Sequence, residues 1–214
     1  MRKQRFCDDK ALFYRNVFAL VLPMALQNLI NVGITSADVI MLGKVGEIAL
    51  SSSSLAGQIY FIMSLILFGL TSGAAVITAQ YWGKKDMRTI EKVMGIAFRF
   101  SIIVSVIFLL AVQIFPAQVM SIFTPEQPVI DEGVKYLRIV SFTYLLCAVT
   151  QVYLNVMRSV ERVVIATVTY SVSLIVNIII NGILIFGLLG FPQMGIVGAA
   201  IGTLVARIVE LLIV

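Results

Sequence analysis

Polar side chains inside long apolar stretches are the residues of this sequence best suited to chemistry. Gln27, Asn31 and Asp38 are spaced by four and seven residues, so in a helix they share one face, and Thr35 lies about one-sixth of a turn away. A carboxylate in the middle of a membrane helix costs roughly 2.5–3.5 kcal/mol on insertion scales, and such residues mark ion or substrate pathways. Asp38 is therefore the first functional candidate. An interfacial aspartate that caps the helix end is the alternative.

Two further stripes of polar residues occur in later apolar segments. One has steps of three, four and four and comprises Tyr170, Ser173, Asn177 and Asn181. A weaker one comprises Tyr144, Gln151 and Asn155. Because unpaired polar groups are costly in hydrocarbon, such stripes turn toward a bundle interior or a watery cavity. Hydrogen bonds that merely join helices are the alternative for any single Asn or Gln, and three stripes together favour a cavity.

The elements that must position these residues are long apolar helices. Of the 214 residues, 60% are hydrophobic and 13% charged, and the mean hydropathy is +1.02. Five runs lack Asp, Glu, Lys and Arg: 16–37, 48–83, 100–125, 139–157 and 163–206. A helix crosses the bilayer with about 20 apolar residues, and glycines with a proline divide the longest run. We therefore predict an all-α, polytopic membrane protein whose six spans are 16–43, 54–80, 93–115, 134–156, 163–189 and 194–214.

Lysine and arginine lie mainly on one side of these spans. Twelve fall in the N-terminal tail, around the loop after span two and in the loop after span four: Arg2, Lys3, Arg5, Lys10, Arg15, Lys84, Lys85, Arg88, Lys92, Arg99, Arg158 and Arg162. The opposite side holds Lys44, Lys135 and Arg138. The positive-inside rule then predicts a multi-pass protein of the plasma or inner membrane with both termini cytoplasmic. Residues 1–15 form a cytoplasmic tail, and residues 16–214 form the six-helix transmembrane domain.

Composition excludes several classes of function. The sequence has no histidine, which removes the usual general base and the commonest metal ligand. Its two cysteines, Cys7 and Cys147, have no zinc spacing. The net charge of +5 arises between the apolar spans, so it indicates topology and contact with membrane lipid, not with nucleic acid. An enzyme is disfavoured because we find neither a paired catalytic aspartate nor a serine with a base, and we expect no cofactor.

Small residues and one charge pair predict helix contacts. The segments 69–73 and 198–202 each begin and end with glycine, a spacing that allows two helices to approach closely. Arg207 and Glu210 are three residues apart and predict a salt bridge at a helix end, in preference to a substrate site.

Four segments in order carry a family resemblance. The first is Leu22-Pro-Met-Ala-Leu-Gln-Asn28 leading into Ser36-Ala-Asp-Val-Ile-Met-Leu-Gly43. The second is Gly69-Leu-Thr-Ser-Gly73 followed by Ala79-Gln-Tyr-Trp-Gly-Lys-Lys-Asp86. The third is Asn177-Ile-Ile-Ile-Asn181 ahead of Ile185-Phe-Gly187, and the fourth is Gly195-Ile-Val-Gly-Ala-Ala200 with Thr203. In this combination the chain resembles the multidrug and toxic compound extrusion (MATE) transporters.

The resemblance implies a twelve-helix bundle of two six-helix lobes around a central cavity, with this chain as the N-terminal lobe. It also implies a secondary antiporter that exports small organic, often cationic, compounds in exchange for sodium ions or protons. The acid of that family's first helix corresponds to Asp38 and its fifth-helix polar pair to Asn177 and Asn181, with Thr203 as a further ion ligand. Some members carry a second acid in helix five, and this chain has Asn181 there. The candidates for the substrate cavity are Gln27, Asn31, Thr35, Tyr144, Gln151, Asn155, Tyr170 and Ser173.

Length is the main departure from that family. Six spans amount to one lobe, so we expect either a missing second lobe or the association of two copies. The alternatives in function are a lipid-linked sugar flippase of the related superfamily, which would carry a more basic cavity, and a non-transporting membrane remnant. Neither the substrate nor the choice between sodium ions and protons follows from the sequence.

Overall fold

The computed structural model describes residues 2–214, and within them the side chains of residues 14, 15, 17–19 and 21–214. In this part of the chain there are eight α-helices: α1 (Arg2–Val45), α2 (Glu47–Gly83), α3 (Met87–Ile114), α4 (Pro116–Ser121), α5 (Gln127–Val140), α6 (Phe142–Ser159), α7 (Val163–Phe186) and α8 (Gly195–Ile213). A short 3₁₀ helix, Leu188–Gly190, lies between α7 and α8. The described residues contain no strand, so the predicted all-α class is confirmed.

Five of these helices are long and apolar enough to cross a membrane alone. They are the Val17–Val45 part of α1, α2, α3, α7 and α8. Helices α5 and α6 are long and apolar enough only as a pair, and this pair lies where the sequence predicts the remaining span. The backbone of α1 begins at Arg2, so the helix continues into the segment predicted as a cytoplasmic tail. The side chains of residues 2–13 in that tail lie outside the described residues.

The fourth span is bent by 48° between α5 and α6, where the sequence predicts one continuous helix. A break in a helix frees backbone carbonyls, which is costly in a membrane unless another group donates to them. Here the Gln113 side chain of α3 does so, since its Nε2 donates to the Arg138 carbonyl at 2.8 Å and to Ser141 Oγ at 2.9 Å. A residue of the preceding span therefore stabilises the bend.

Several helix ends follow from local chemistry. Pro116 begins α4, so span three ends there as the sequence predicts. Asp86 caps the N-terminus of α3, because its carboxylate accepts from the Thr89 backbone N–H at 3.2 Å and from the Thr89 hydroxyl at 2.7 Å. These hydrogen bonds in the loop hold the pKa of the Asp86 carboxyl below its ordinary value.

Helices α7 and α8 pack against each other through glycine. A Cβ at Gly198 would lie 2.8 Å from the Leu184 carbonyl oxygen, and a Cβ at Gly202 would overlap Asn181 Oδ1. Gly187 ends α7 in the left-handed conformation, with φ of 69°, which favours glycine. The close contact predicted for the segment 198–202 is therefore confirmed.

The other glycine segment makes no such contact. A Cβ added at Gly69 or Gly73 would have no heavy atom within 4 Å, and both residues are exposed on α2. The spacing allows a close helix contact, but no helix of the described residues makes one there. The face of α2 that carries these two glycines points away from the other helices of the domain.

The largest apolar core forms where α2 packs against α3, α4, α5 and α6. Its most completely buried members include Met63, Leu67, Met120, Leu137 and Tyr144. On the other side of the domain, α1 packs along α7, and α7 packs along α8. Helices from both groups border a cavity, and the polar stripes of α1, α6 and α7 are brought near it.

Candidate functional site

A cavity of about 510 Å³ lies among α1, α2, α5, α6 and α8. Asp38 and Thr35 of α1 line it, together with Thr203 and Arg207 of α8. A second cavity of about 240 Å³ adjoins the first, since both are bordered by Thr35 and Arg207. Most of the lining of the larger cavity is apolar or aromatic, so its few polar groups can fix the position of a ligand.

Asp38 joins α1 to α7 on the wall of the larger cavity. Its Oδ1 accepts a hydrogen bond from Asn181 Nδ2 at 2.5 Å, across 143 residues of sequence. The same Nδ2 lies 3.3 Å from Asn177 Oδ1, so one amide group contacts both side chains. Asn177 is 1% exposed and Asn181 is fully buried. In this cluster the Asp38 carboxylate lies against two buried amides. No backbone N–H at a helix terminus is among the described partners of Asp38, as a helix-capping aspartate would have.

Three buried polar atoms in this region have no hydrogen bond of normal geometry among the described residues. They are Asn177 Nδ2, Asn181 Oδ1 and Thr203 Oγ1. Asn177 lies close to the Asp38 carboxyl, and Thr203 lies close to the Tyr136 hydroxyl. Buried polar atoms are rarely left unpaired, because each costs about 1–3 kcal/mol. Two of these three are oxygens and can accept hydrogen bonds from a ligand or coordinate a cation.

The single negative charge of this cluster matches one monovalent cation. Asp38 is its one carboxylate, and the described residues contain no group of three or more His, Cys, Asp or Glu side chains that could hold a metal ion. Sodium binds to oxygen ligands of the carboxylate, amide and hydroxyl types present here, and a proton needs only the carboxylate. The donor set therefore fits a sodium ion or a proton and does not resemble a transition-metal site.

Gly202 leaves space for the side chain of Asn181. Because a Cβ at position 202 would overlap Asn181 Oδ1, only glycine leaves room for the amide in this position. The neighbouring glycine of α7, Gly182, differs in this respect, since a Cβ there would have no heavy atom within 4 Å. The close packing of α7 on α8 at Gly202 therefore determines where the Asn181 amide that contacts Asp38 can lie.

Five other predicted residues line the two cavities. They are Thr35 and Tyr144 in the larger cavity and, in the smaller one, Thr35 again with Asn31, Gln151 and Tyr170. The Tyr144 ring packs against Tyr60, with 6.1 Å between the ring centroids.

Three predicted residues instead make contacts between or within helices. Gln27 Nε2 donates to the Val163 carbonyl and to Thr167 Oγ1, both at 2.9 Å, which joins α1 to α7. Asn155 Nδ2 donates to the Gln151 carbonyl one turn earlier at 2.9 Å. Neither residue borders the two cavities. Ser173 is buried between α7 and α8, where its hydroxyl lies 3.4 Å from Glu210 Oε2.

The Arg207–Glu210 pair forms as predicted but lies in a different environment from the one predicted. Arg207 Nη1 and Glu210 Oε2 are 2.6 Å apart. The Glu210 side chain is only 2% exposed and that of Arg207 is 19% exposed, with both bordering the smaller cavity. The bridge lies in the last two turns of α8, as the sequence predicts. Its burial was not predicted, because it results from the packing of α6 and α7 against this part of α8.

Some cavity residues were absent from the sequence-based candidates. Besides Arg207, they include Gln58 and Tyr60 of α2 and Tyr136 and Thr143 of the bent span. Gln58 is an amide in the middle of an uncharged run, a signal that could have identified it. Tyrosine and threonine occur on many membrane helices, so their types alone could not.

Comparison with known proteins identifies the family. The MatE family model matches residues 23–183. The probable multidrug resistance protein YoeA of Bacillus subtilis is 23% identical over 206 residues, which cover 96% of this chain and 44% of that protein. The probable multidrug resistance protein NorM of Rhizobium meliloti is 25% identical over 192 residues, which cover 89% of this chain and 41% of that protein.

The fold comparison agrees with the sequence comparison. A MOP superfamily transporter from Pyrococcus furiosus superposes with a TM-score of 0.83 at 19% identity, over 92% of this chain and 43% of that one. The chain thus spans less than half the length of these relatives, which corresponds to one six-helix lobe. Since the family model covers most of its residues, the chain belongs to the MatE family of membrane transporters.

Proposed function

We propose that this chain is the N-terminal lobe of a secondary antiporter that exports small organic compounds in exchange for sodium ions or protons. The observation that carries this proposal is the Asp38 cluster. A carboxylate on α1 contacts buried amides on α7, and the oxygens Asn181 Oδ1 and Thr203 Oγ1 make no hydrogen bond of normal geometry among the described residues. Asp38 and Thr203 border a cavity large enough to hold an organic molecule, and Asn177 and Asn181 lie behind Asp38 without lining that cavity.

The cluster can couple an ion to helix packing because its members lie on different helices. Asp38 is on α1, Asn177 and Asn181 are on α7, and Thr203 is on α8. An ion held by all three helices stabilises the packing in which they are close together. If that packing binds the organic compound less well, entry of the ion from outside favours its release there.

Ion-driven efflux by the complete transporter tests this function. The transporter is placed in proteoliposomes loaded with ethidium, and a sodium gradient or a pH gradient is imposed with the higher ion concentration outside. We expect one of these gradients to accelerate the exit of the dye. Exit at the rate of protein-free liposomes under both gradients would contradict an antiporter.

A flippase for lipid-linked sugars is the second candidate, and it would have a more basic cavity. The two cavities described above hold one arginine, Arg207, together with the acids Asp38 and Glu210. Acids therefore outnumber bases in these cavities, and this balance of charge supports the antiporter better than the flippase.

We also propose that both ends of the chain lie in the cytoplasm, on the basis of the twelve-to-three distribution of Lys and Arg. A cysteine placed at Gln127, at the exposed start of α5, should react with an impermeant thiol reagent added to intact cells. A cysteine placed at Met87, at the exposed start of α3, should react only after the membrane is opened. Labelling is measured as the mass shift of the protein.

The parent protein for this labelling carries Cys7→Ser and keeps Cys147, which is buried. Without an introduced cysteine it should label weakly, and this gives the background. If Met87→Cys reacts in intact cells and Gln127→Cys does not, the orientation is the reverse of the one proposed.

A further inference from the structure

Arg207 is a charged group in the cavity wall that the ion-coupling cluster does not use. It borders both the larger and the smaller cavity, so the residue lies where the two adjoin. Its side chain is 19% exposed, whereas that of its partner Glu210 is 2% exposed. The arginine is therefore the member of the pair that a molecule in the cavities can reach.

Arg207 has more hydrogen-bond donors than its described contacts use. A guanidinium has five N–H donors in a planar fork. Among the described residues it donates from Nη1 to Glu210 Oε2 at 2.6 Å. That same oxygen lies 3.4 Å from the Ser173 hydroxyl, so Glu210 is held from α7 while Arg207 faces the cavities. The other N–H groups of the guanidinium are available to an acceptor on a ligand.

The chemistry around Arg207 favours a ligand with a negative group attached to rings. Glu210 balances the charge of Arg207 in the smaller cavity, but it does not border the larger one. On the side of the larger cavity, a ligand carboxylate can therefore form short, charge-assisted hydrogen bonds with the remaining N–H groups. In the smaller cavity, Thr150 and Gln151 add polar side chains close by. In the larger cavity, Tyr60 and Phe61 provide aromatic surface.

We propose that Arg207 binds a carboxylate of the exported compound, so that the substrates of this lobe include aromatic acids and zwitterions. Asp38 and Arg207 border the same cavity, so a zwitterion can direct its positive group toward Asp38 while its carboxylate contacts Arg207. This inference rests on the proposed export function and specifies its substrate class.

Binding of two matched dyes tests the inference. A rhodamine with a free carboxylate is compared with its methyl ester, which has the same rings and positive charge but no negative group. Each dye is titrated against the purified protein in lipid nanodiscs, and binding is measured by fluorescence polarisation. We expect the acid to bind about tenfold or more tightly than the ester, the effect of one charge-assisted hydrogen-bonded pair.

The test variant removes both charges of the pair. Arg207→Met alone would leave Glu210 buried without its partner and could prevent folding, so the double variant Arg207→Met, Glu210→Gln is used. It should bind the acid about tenfold or more weakly than the wild type and bind the ester with little change. Arg99→Met, which removes an exposed arginine of α3 outside both cavities, is the control and should leave both affinities unchanged.

The outcomes separate this inference from the proposed function. If the ester binds as tightly as the acid, or if the double variant keeps the full affinity for the acid, Arg207 is not a carboxylate site although the protein binds organic compounds. If neither dye binds the wild type in a saturable way, both the inference and the export function are contradicted.

Discussion

The Asp38→Asn variant is expected to reduce ion-driven efflux by about tenfold or more, which corresponds to losing a coupling free energy of roughly 1–3 kcal/mol. Asparagine has nearly the same shape and can still accept a hydrogen bond from Asn181. It cannot balance the charge of a sodium ion and cannot take up a proton. The variant should therefore fold and reach the membrane while losing most of the response to the ion gradient.

Efflux of ethidium from proteoliposomes, with and without the gradient, measures this effect. Asp131→Asn is the matched control, because it removes the exposed carboxylate of Asp131 at the start of α5, outside the cavities. We expect the control to transport at the wild-type rate. Normal efflux by Asp38→Asn with unchanged ion dependence would show that Asp38 serves only the packing of α1 on α7.

Residues 1–214 alone are expected to give no efflux above that of cells without the protein. The larger cavity is bordered by Thr35 and Gln58, which are exposed on the surface of the domain. Polar groups that face hydrocarbon are costly, so we expect a partner to cover this side of the domain. The exposed Gly69 and Gly73 on α2 offer another surface without contacts inside the domain.

Two measurements test this expectation: the efflux of dye from cells and the mass of the purified complex. The domain should be found as a dimer or aggregate, or should bind a separately expressed second lobe. Adding that lobe, or a second copy in a tandem fusion, should restore export. Export at a full rate by a domain shown to be monomeric would contradict the requirement for a partner.

The membrane spans could be predicted from the sequence because the signal is local. Runs without charge, divided by glycine and proline, are enough to locate six apolar spans. The bend of the fourth span could not be predicted in the same way. It depends on Gln113, whose side chain reaches Arg138 from 25 residues earlier in the sequence.

The candidate site was predicted in part, and the missing parts are those that depend on tertiary structure. Spacing places Asp38 on a polar stripe of α1 and Asn181 on one of α7, but their contact spans 143 residues. Arg207 and Glu210 also pair as their spacing predicts. Only the packing of α8 against its neighbours shows that both residues border the smaller cavity.

Direct ion binding to the purified protein tests the central claim, that the Asp38 cluster is the coupling-ion site. Binding of radioactive sodium and uptake of protons are both measured on the protein in nanodiscs, without any organic substrate. We expect the wild type to bind one of these ions saturably and Asp38→Asn to lose that binding. Gly202→Ala should weaken it about fivefold or more, because overpacking displaces Asn181 without changing any charge.

Gly182→Ala is the matched control in the same measurement, since its added methyl group meets no atom within 4 Å. It should bind the ion like the wild type. Loss of binding in Asp38→Asn, weaker binding in Gly202→Ala and normal binding in Gly182→Ala are the results that the cluster predicts. Equal ion binding by the wild type and Asp38→Asn would contradict the assignment of the site.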